Sequence, residues 1–290
     1  MASLKEVKGR IATVNNTRKI TSAMKMVASA KLHKAQGAIT NMLPYERRLH
    51  GLLTNLLGGG EVLVWNTPRE VKRVALVVFS SNSSLCGGFN ANVIKHATQW
   101  LSEYQALGKD NILLYPVGKK VADALSKMGY AVQGNFQHLA DKPSFAEAAE
   151  LAQGLMNLFT QGEVDRVELL YNHFKSTASQ ILTREVYLPF LLSSLEQNEG
   201  SRVHPQETDY ILEPSREELL ETLLPKVLRM KLYTVLLDSN ASEHAARTMA
   251  MQIATDNADD LLQELTLMYN KTRQQAITNE LLDIVGGSMA

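Results

Sequence analysis

The chain has 290 residues, 45% apolar and 21% charged, a composition typical of a globular protein with one large domain or two smaller ones. Thirty basic residues balance thirty acidic ones, so the net charge alone does not indicate a nucleic-acid-binding protein. No stretch reaches the roughly 18 apolar residues of a membrane span, and the single cysteine, Cys86, excludes an internal disulfide framework.

Residues 1–60 are predicted to form one long helix of a coiled coil. Ser3 and Glu6 have the spacing of a capping box, Pro44 is expected to bend the helix near its end, and the glycines at 58–60 are typical of a helix end. A heptad repeat, interrupted by polar residues in its middle, predicts a seam against another helix. Its positions are Leu4, Val7, Ile11, Val14, Arg18, Thr21, Lys25, Ala28, Leu32, Ala35, Ile39 and Met42.

The stretch MKMVASAKL, residues 24–32, has apolar side chains around most of the helix, which one partner helix cannot cover. Residues 1–40 also carry eight basic side chains against one acidic side chain. This charge favours either a solvated basic face or a surface that meets an acidic partner.

Residues 61–212 are predicted to form a central α/β domain. Strands alternating with helices predict a mainly parallel, Rossmann-like sheet with helices on its faces and an antiparallel edge. The predicted strands are 71–81, 111–118, 130–136, 164–174 and 179–191, and the predicted helices are 90–107, 119–128 and 143–159.

Residues 213–290 are predicted to form a second long helix. Ser215 and Glu218 have capping-box spacing, and Pro225 either kinks this helix or marks its beginning. About 70 helical residues span on the order of 100 Å, so this helix needs a partner, and an antiparallel pairing with the first helix is expected. The longer helix should then overhang by about 15 residues, or roughly 20 Å. That overhang would expose Ala276, Ile277, Leu281, Leu282, Ile284 and Val285, which indicates an outside partner.

The motifs give little support to catalysis. The loop at 80–90 follows the first strand, where doubly wound folds bind phosphates, but it has neither of the glycine-rich phosphate-binding patterns. The histidines are scattered, and Cys86 is expected to be a buried thiol, so no metal or cofactor is expected. The acidic run at 256–260 places Asp256 and Asp260 on one helix face, which favours a solvated face or pairing with the basic first helix over a cation site.

Three motifs resemble the γ-subunit family of F-type ATP synthases. MKMVASAKL is similar to that family's N-terminal helix, and SLCGGFN (84–90) resembles a turn of its α/β domain. The stretch SEHAARTMAMQIATDNADDLLQELTLMYNKTRQQAITNELLDIVGG (242–287) resembles its C-terminal helix almost throughout, and ITNEL (277–281) falls within its signature. The resemblance covers the whole chain in order.

This resemblance implies a central-stalk rotor that couples ion flow through a membrane c ring to ATP synthesis or hydrolysis at an α/β hexamer by rotation. It implies no catalysis by the chain itself, which would be one subunit of a proton- or sodium-translocating complex. The implied partners are the α, β and ε subunits and the c ring, with no nucleic acid. The N-terminus shows no signal-peptide core, and a peripheral location at the cytoplasmic face of a bacterial inner membrane, held there only through the complex, is expected.

The resemblance also implies three sets of contact residues. Polar rotor–stator contacts fall on Met24, Lys25, Arg273, Gln274, Thr278 and Glu280, an apolar bearing on Ile277, Leu281 and Ile284, and a foot that touches ε and the c ring on Tyr210 and Glu213. Two hypotheses compete with the rotor. One is a doubly wound enzyme or nucleotide sensor that uses its coiled coil to dimerise, and the other is a nucleic-acid-binding coiled coil, which the absence of a basic α/β domain disfavours.

Overall fold

The structure is a computed structural model that describes residues 3–57, 65, 67, 69–190, 212–213 and 215–288. Its elements in chain order are α1 (Leu4–Leu57), β1 (Val74–Phe79), α2 (Phe89–Glu103), β2 (Ile112–Val117), α3 (Lys119–Lys127), α4 (Gln137–Asp141), α5 (Phe145–Thr160), β3 (Arg166–Phe174), β4 (Gln180–Leu188) and α6 (Arg216–Ser288). Short 3-10 turns at Gln105–Leu107 and Lys109–Asn111 lead from α2 to β2.

Both long helices begin at the capping boxes. The backbone N–H of Glu6 donates to Ser3 Oγ at 3.2 Å, and that of Glu218 donates to Ser215 Oγ at 3.3 Å. The helices have 54 and 73 residues, or about 80 and 110 Å of rod. Because α6 begins at Arg216, Pro225 lies inside the helix and does not mark its beginning.

The predicted heptad seam of α1 faces α6, as an antiparallel coiled coil requires. Val7, Thr21, Ala28, Leu32 and Ala35 are buried, and the remaining seam positions are half-buried. Two polar contacts between the helices lie where the apolar repeat is interrupted. Polar pairs inside a coiled coil specify its register at some cost in stability.

Two pairs occupy this polar interruption. Arg18 Nη1 donates to Asp259 Oδ1 at 2.8 Å, and the hydroxyls of Thr21 and Thr255 are 2.8 Å apart. The acidic run at 256–260 therefore does pair with the basic helix, but through Asp259. Asp256 and Asp260 are exposed.

The central sheet has the order β2-β1-β3-β4, with β1 parallel to both neighbours and β4 antiparallel to β3. Every residue of β1 is buried, as expected for a central strand covered on both faces. One face packs against α2 and α3. The other face packs against α5 and against the base of the coiled coil, where α1 contributes Leu49 and Leu53 and α6 contributes Leu220 and Leu224.

The strand predicted at 130–136 is wrong. Only an isolated bridge forms there, between Val132 and Leu114 of β2. Gly134 adopts a positive φ of 67°, and a Cβ at this position would lie 2.6 Å from the Phe136 ring. The extended run is therefore turned away from the sheet edge after one contact, and the chain enters α4.

Candidate interaction surfaces and the docking of the coiled coil

The end of α6 projects beyond α1 as a single helix. Thr272 is half-buried, and all thirteen residues from Arg273 to Val285 are exposed, which is about 20 Å of exposed helix. The predicted bearing residues lie here, with Ile277 45%, Leu281 57% and Ile284 64% exposed. So much apolar surface on a lone helix is typical of a site that binds a partner.

The predicted polar contact residues of α6 lie on the same projecting helix. Arg273, Gln274, Thr278 and Glu280 are all exposed. The Thr278 hydroxyl donates to the Gln274 carbonyl at 2.9 Å, within the helix. The structure thus brings together the bearing residues and these polar residues on one exposed element.

A second apolar surface lies on the coiled coil near MKMVASAKL. Ala28 and Leu32 face α6, whereas Met26 and Val27 are 66% and 58% exposed. Met24 and Lys25 are half-buried. The outer face of α6 adds further exposed apolar side chains, Met249 and Ile253, which the sequence analysis missed. The local sequence of α6 gives no signal for them, because whether an apolar side chain is covered depends on which helix packs against it.

Of the two predicted foot residues, the structure describes only Glu213. Glu213 is exposed just before α6. Tyr210 lies outside the described residues.

The crevice where doubly wound folds bind ligands is filled by the chain's own helix. In such folds the crevice lies at the carboxyl ends of the strands, where the strand order reverses, which here is beside β1. Residues Asp238–Arg247 of α6, which we call the docking segment, occupy this place. Between the segment and the ends of β1 and β2 there remains a space of about 10 Å³, enough for one water molecule. A nucleotide does not fit there.

The loop at 80–90 is also held by bonds within the chain. The Asn82 side chain donates to the Gln137 carbonyl at 2.7 Å and accepts from the backbone N–H of Lys119 at 2.9 Å. Cys86 is buried and lies 3.1 Å from Asn90 Nδ2. The loop therefore works as a structural turn, and the hypothesis of a nucleotide sensor loses its site.

Comparison with known proteins gives the family. A model of the ATP synthase family matches residues 3–290. The chain is 68% identical to the ATP synthase gamma chain of Phocaeicola vulgatus and 64% identical to that of Bacteroides fragilis, in both cases over 100% of each chain. The chain belongs to the ATP synthase gamma chain family. The family resemblance drawn from the sequence is confirmed.

Solved structures show the same fold as this gamma chain. A chain of the Euglena gracilis mitochondrial ATP synthase matches with a TM-score of 0.64 at 20% identity, covering 99% of this chain and 93% of that one. A chain of the Tetrahymena thermophila mitochondrial ATP synthase central stalk and c ring matches with a TM-score of 0.54 at 24% identity, covering 81% and 99%. These matches confirm the predicted combination of a long antiparallel coiled coil and a Rossmann-like α/β domain.

In this gamma chain the docking segment contains a buried histidine, His244. This burial, with the charges of Lys31 and Arg247, lowers its pKa to about 4. An unfolded chain would protonate the same histidine near pH 6.5. As pH falls below 6.5, the unfolded state binds a proton that the folded state does not accept until about pH 4, so stability falls over this window.

We therefore expect His244→Gln to flatten the acid dependence of folding. Between pH 7 and pH 5 the wild-type chain should lose on the order of 2 kcal/mol more of its unfolding free energy than the variant does. Urea unfolding of the full chain at both pH values measures this difference. His33→Gln, at an exposed position of α1, is the matched control and should behave as wild type. Equal losses in wild type and His244→Gln would contradict the prediction.

No helix among the described residues is both long enough and apolar enough to cross a membrane.

Proposed function

We propose that this gamma chain is the rotor of the central stalk of an F-type ATP synthase, which carries ion-driven rotation of a c ring to a hexamer of α and β subunits. The observation that carries the proposal is the projecting end of α6, Arg273 to Val285, where every side chain is exposed and several are large and apolar. Burying such a helix in a collar of other subunits removes its apolar surface from water.

The comparisons support the partners. The structures similar in fold come from a central stalk with a c ring and from an ATP synthase rotor. In this chain, the hexamer would enclose the projecting helix and the apolar surface around Met26. The ε subunit and the c ring would meet the α/β domain and the base of the coiled coil, at Tyr210 and Glu213. In this arrangement the chain would lie at the cytoplasmic face of a bacterial inner membrane, attached only through the complex.

The proposed mechanism uses apolar and polar contacts differently. An apolar tip formed by Ile277, Leu281 and Ile284 in an apolar collar makes few directional bonds, so rotation meets no single deep energy minimum. Torque requires contacts whose energy changes with angle. We assign these to Met24 and Lys25 on α1 and to Arg273, Gln274, Thr278 and Glu280 on α6.

Catalysis would then take place in the hexamer, and this chain would act by changing the relative stabilities of the hexamer's conformations. A binding partner shifts an equilibrium between conformations only by its difference in affinity for them. An asymmetric shaft binds each of three surrounding sites differently at every angle, which is how a chain without catalytic groups of its own drives or follows ATP turnover.

The test is reconstitution with α and β subunits purified from the same organism. We expect the chain to elute with the hexamer in size-exclusion chromatography at one copy per complex and to change the rate of ATP hydrolysis. A bead attached to the α/β domain should rotate while ATP is hydrolysed. Separate elution with an unchanged rate, or hydrolysis without rotation, would refute the proposal.

A further inference from the structure

The docking segment is polar although it is surrounded by protein. All residues from Ser239 to Ala245 are buried, and a helix enclosed on every side is normally apolar. The buried polar side chains of the segment are Ser239, Asn240, Ser242, Glu243, His244 and Arg247. Burying such groups costs free energy unless they are hydrogen-bonded, and leucine at these positions would be a simpler source of stability.

One side of the docking segment bonds the end of β3. Asp238 Oδ1 accepts the backbone N–H of Phe174 at 2.8 Å, and its Oδ2 pairs with His173 Nδ1 at 2.5 Å. One turn further along, the Ser242 hydroxyl donates to the Asn172 carbonyl at 2.9 Å. Three bonds thus join three consecutive residues of β3 to the coiled coil.

The other side of the segment bonds α4 and the loop after β1. Asn240 Nδ2 donates to the Ala140 carbonyl at 2.7 Å. The Arg247 guanidinium donates to the Ser84 carbonyl and, at 2.8 Å, to Ser83 Oγ. These bonds reach a different part of the α/β domain from those of Asp238 and Ser242.

Arg247 is itself held in place from within the segment. Its Nη2 donates to Glu243 Oε1 at 2.6 Å, one helical turn back, and both side chains are largely buried. Burial raises the pKa of the Glu243 carboxyl, and the ion pair with Arg247 opposes that rise. This internal pair orients the guanidinium toward the loop.

The two sets of bonds point in opposite directions from the helix. At about 100° per residue, Asp238 and Ser242 lie on one side, and Asn240 and Arg247 lie roughly opposite. Hydrogen bonds weaken steeply when they are stretched or bent. Rotation of the α/β domain about the coiled coil, in either direction, would therefore strain hydrogen bonds on both sides. Apolar burial has no such directional preference.

We propose that the docking segment is a torsional lock that holds the α/β domain and the coiled coil together as one rigid body under load. The inference rests on the proposed rotor function, because only a shaft under torque needs such a lock. Asp238, Asn240, Ser242 and Arg247 are positioning residues in this role. Their bonds go to the α/β domain, through which they would act.

The test is the torsional stiffness of the assembled rotor. The hexamer is fixed to a surface, and a bead is attached through Ser126→Cys, an exposed position on α3. The width of the bead's angular fluctuations during pauses reports the stiffness between bead and hexamer. Asp238→Ala with Ser242→Ala removes three of the six bonds, so we expect stiffness to fall by about twofold. ATP hydrolysis and unloaded rotation rate should stay unchanged.

Two further variants make the result decisive. Thr21→Val with Thr255→Val removes a polar pair inside the coiled coil only and should leave the stiffness at the wild-type value. Ser242→Ala alone removes one bond and should soften the rotor less, in the same direction. If the double variant does not assemble, the fluctuation width of Ser242→Ala alone decides whether the lock exists. A residue with only a structural role would lower the yield of the complex without widening the fluctuations.

The outcomes separate the two proposals. Fluctuations of wild-type width in assembled Ser242→Ala and in the double variant would overturn the torsional lock and leave the rotor standing. Hydrolysis without any rotation of the wild-type complex would overturn the rotor function, and the lock with it.

Discussion

Glu168→Ala is expected to lower the unfolding free energy of the chain by about 3 to 5 kcal/mol. Glu168 lies on β3 at the centre of the α/β domain and is 2% exposed. Its carboxylate accepts from Trp100 Nε1 at 2.6 Å, from the Tyr104 hydroxyl at 2.9 Å and from Arg184 Nε at 3.0 Å. Alanine would leave these donors without their acceptor, and an unpaired buried donor costs its full desolvation.

The geometry of Arg184 explains why relaxation would recover little. Its guanidinium lies 5.0 Å from the centre of the Trp100 ring and also pairs with Glu103 at 2.6 Å. A side chain held on two other sides cannot swing out to water without losing those contacts. The charge would stay close to the sheet without its buried partner.

Urea unfolding of the full chain, followed by far-ultraviolet circular dichroism, measures the effect. Glu103→Ala is the matched control, because it removes an exposed carboxylate from the same arginine and should cost less than about 1 kcal/mol. Replacing Glu168 and Arg184 together with leucine should restore part of the loss, since no buried charge remains. A loss below about 1 kcal/mol for Glu168→Ala would show that the network does not stabilise the sheet.

Removal of residues 273–290 is expected to weaken binding to the α/β hexamer while leaving the stability of the folded chain nearly unchanged. Every described side chain from Arg273 to Val285 is exposed, so the unfolding free energy should change by no more than about 0.5 kcal/mol. The affinity for the α/β hexamer should fall by at least about tenfold. A tenfold change corresponds to a binding free energy of about 1.4 kcal/mol, and the burial of one large apolar side chain provides more than that. Titration of the hexamer with labelled chain measures the affinity.

A full-length variant distinguishes lost apolar contact from lost length. Ile277, Leu281 and Ile284 are replaced with glutamine, and we expect most of the weakening seen with the truncation. Alanine at Arg273 or Glu280 should leave binding near wild type but lower ATP-driven ion pumping. Unchanged affinity after truncation would remove the bearing from the proposal, and unchanged pumping would remove the polar residue concerned.

Local sequence patterns were sufficient to predict the two long helices and most strands of the sheet. The caps at Ser3 and Ser215 and the heptad seam of α1 depend on residues within one or two turns of each other, and both were confirmed. The overhang followed from helix lengths alone. The failure at residues 130–136 has a local cause that composition does not show, the positive φ of Gly134, because a glycine in an apolar run is compatible with either a strand or a turn.

The docking segment could not be predicted in the same way. Its polar composition is typical of an exposed helix face, because a local window contains no information about what surrounds it. The partners of Asn240 and Arg247 lie 100 and 164 residues away. Met249 and Ile253 were missed for a related reason, since whether an apolar side chain is covered depends on a helix that packs elsewhere.

The amino-acid sequence by itself determined the family, the rod and its exposed apolar tip, because these depend on motifs, periodicity and length along a single chain. Only the tertiary structure decided that Asp259 pairs with Arg18 across the coiled coil and that α6 fills the crevice beside β1. Hydrogen bonds and ion pairs depend on distances of a few ångströms between residues far apart in sequence, and folding alone brings those residues together.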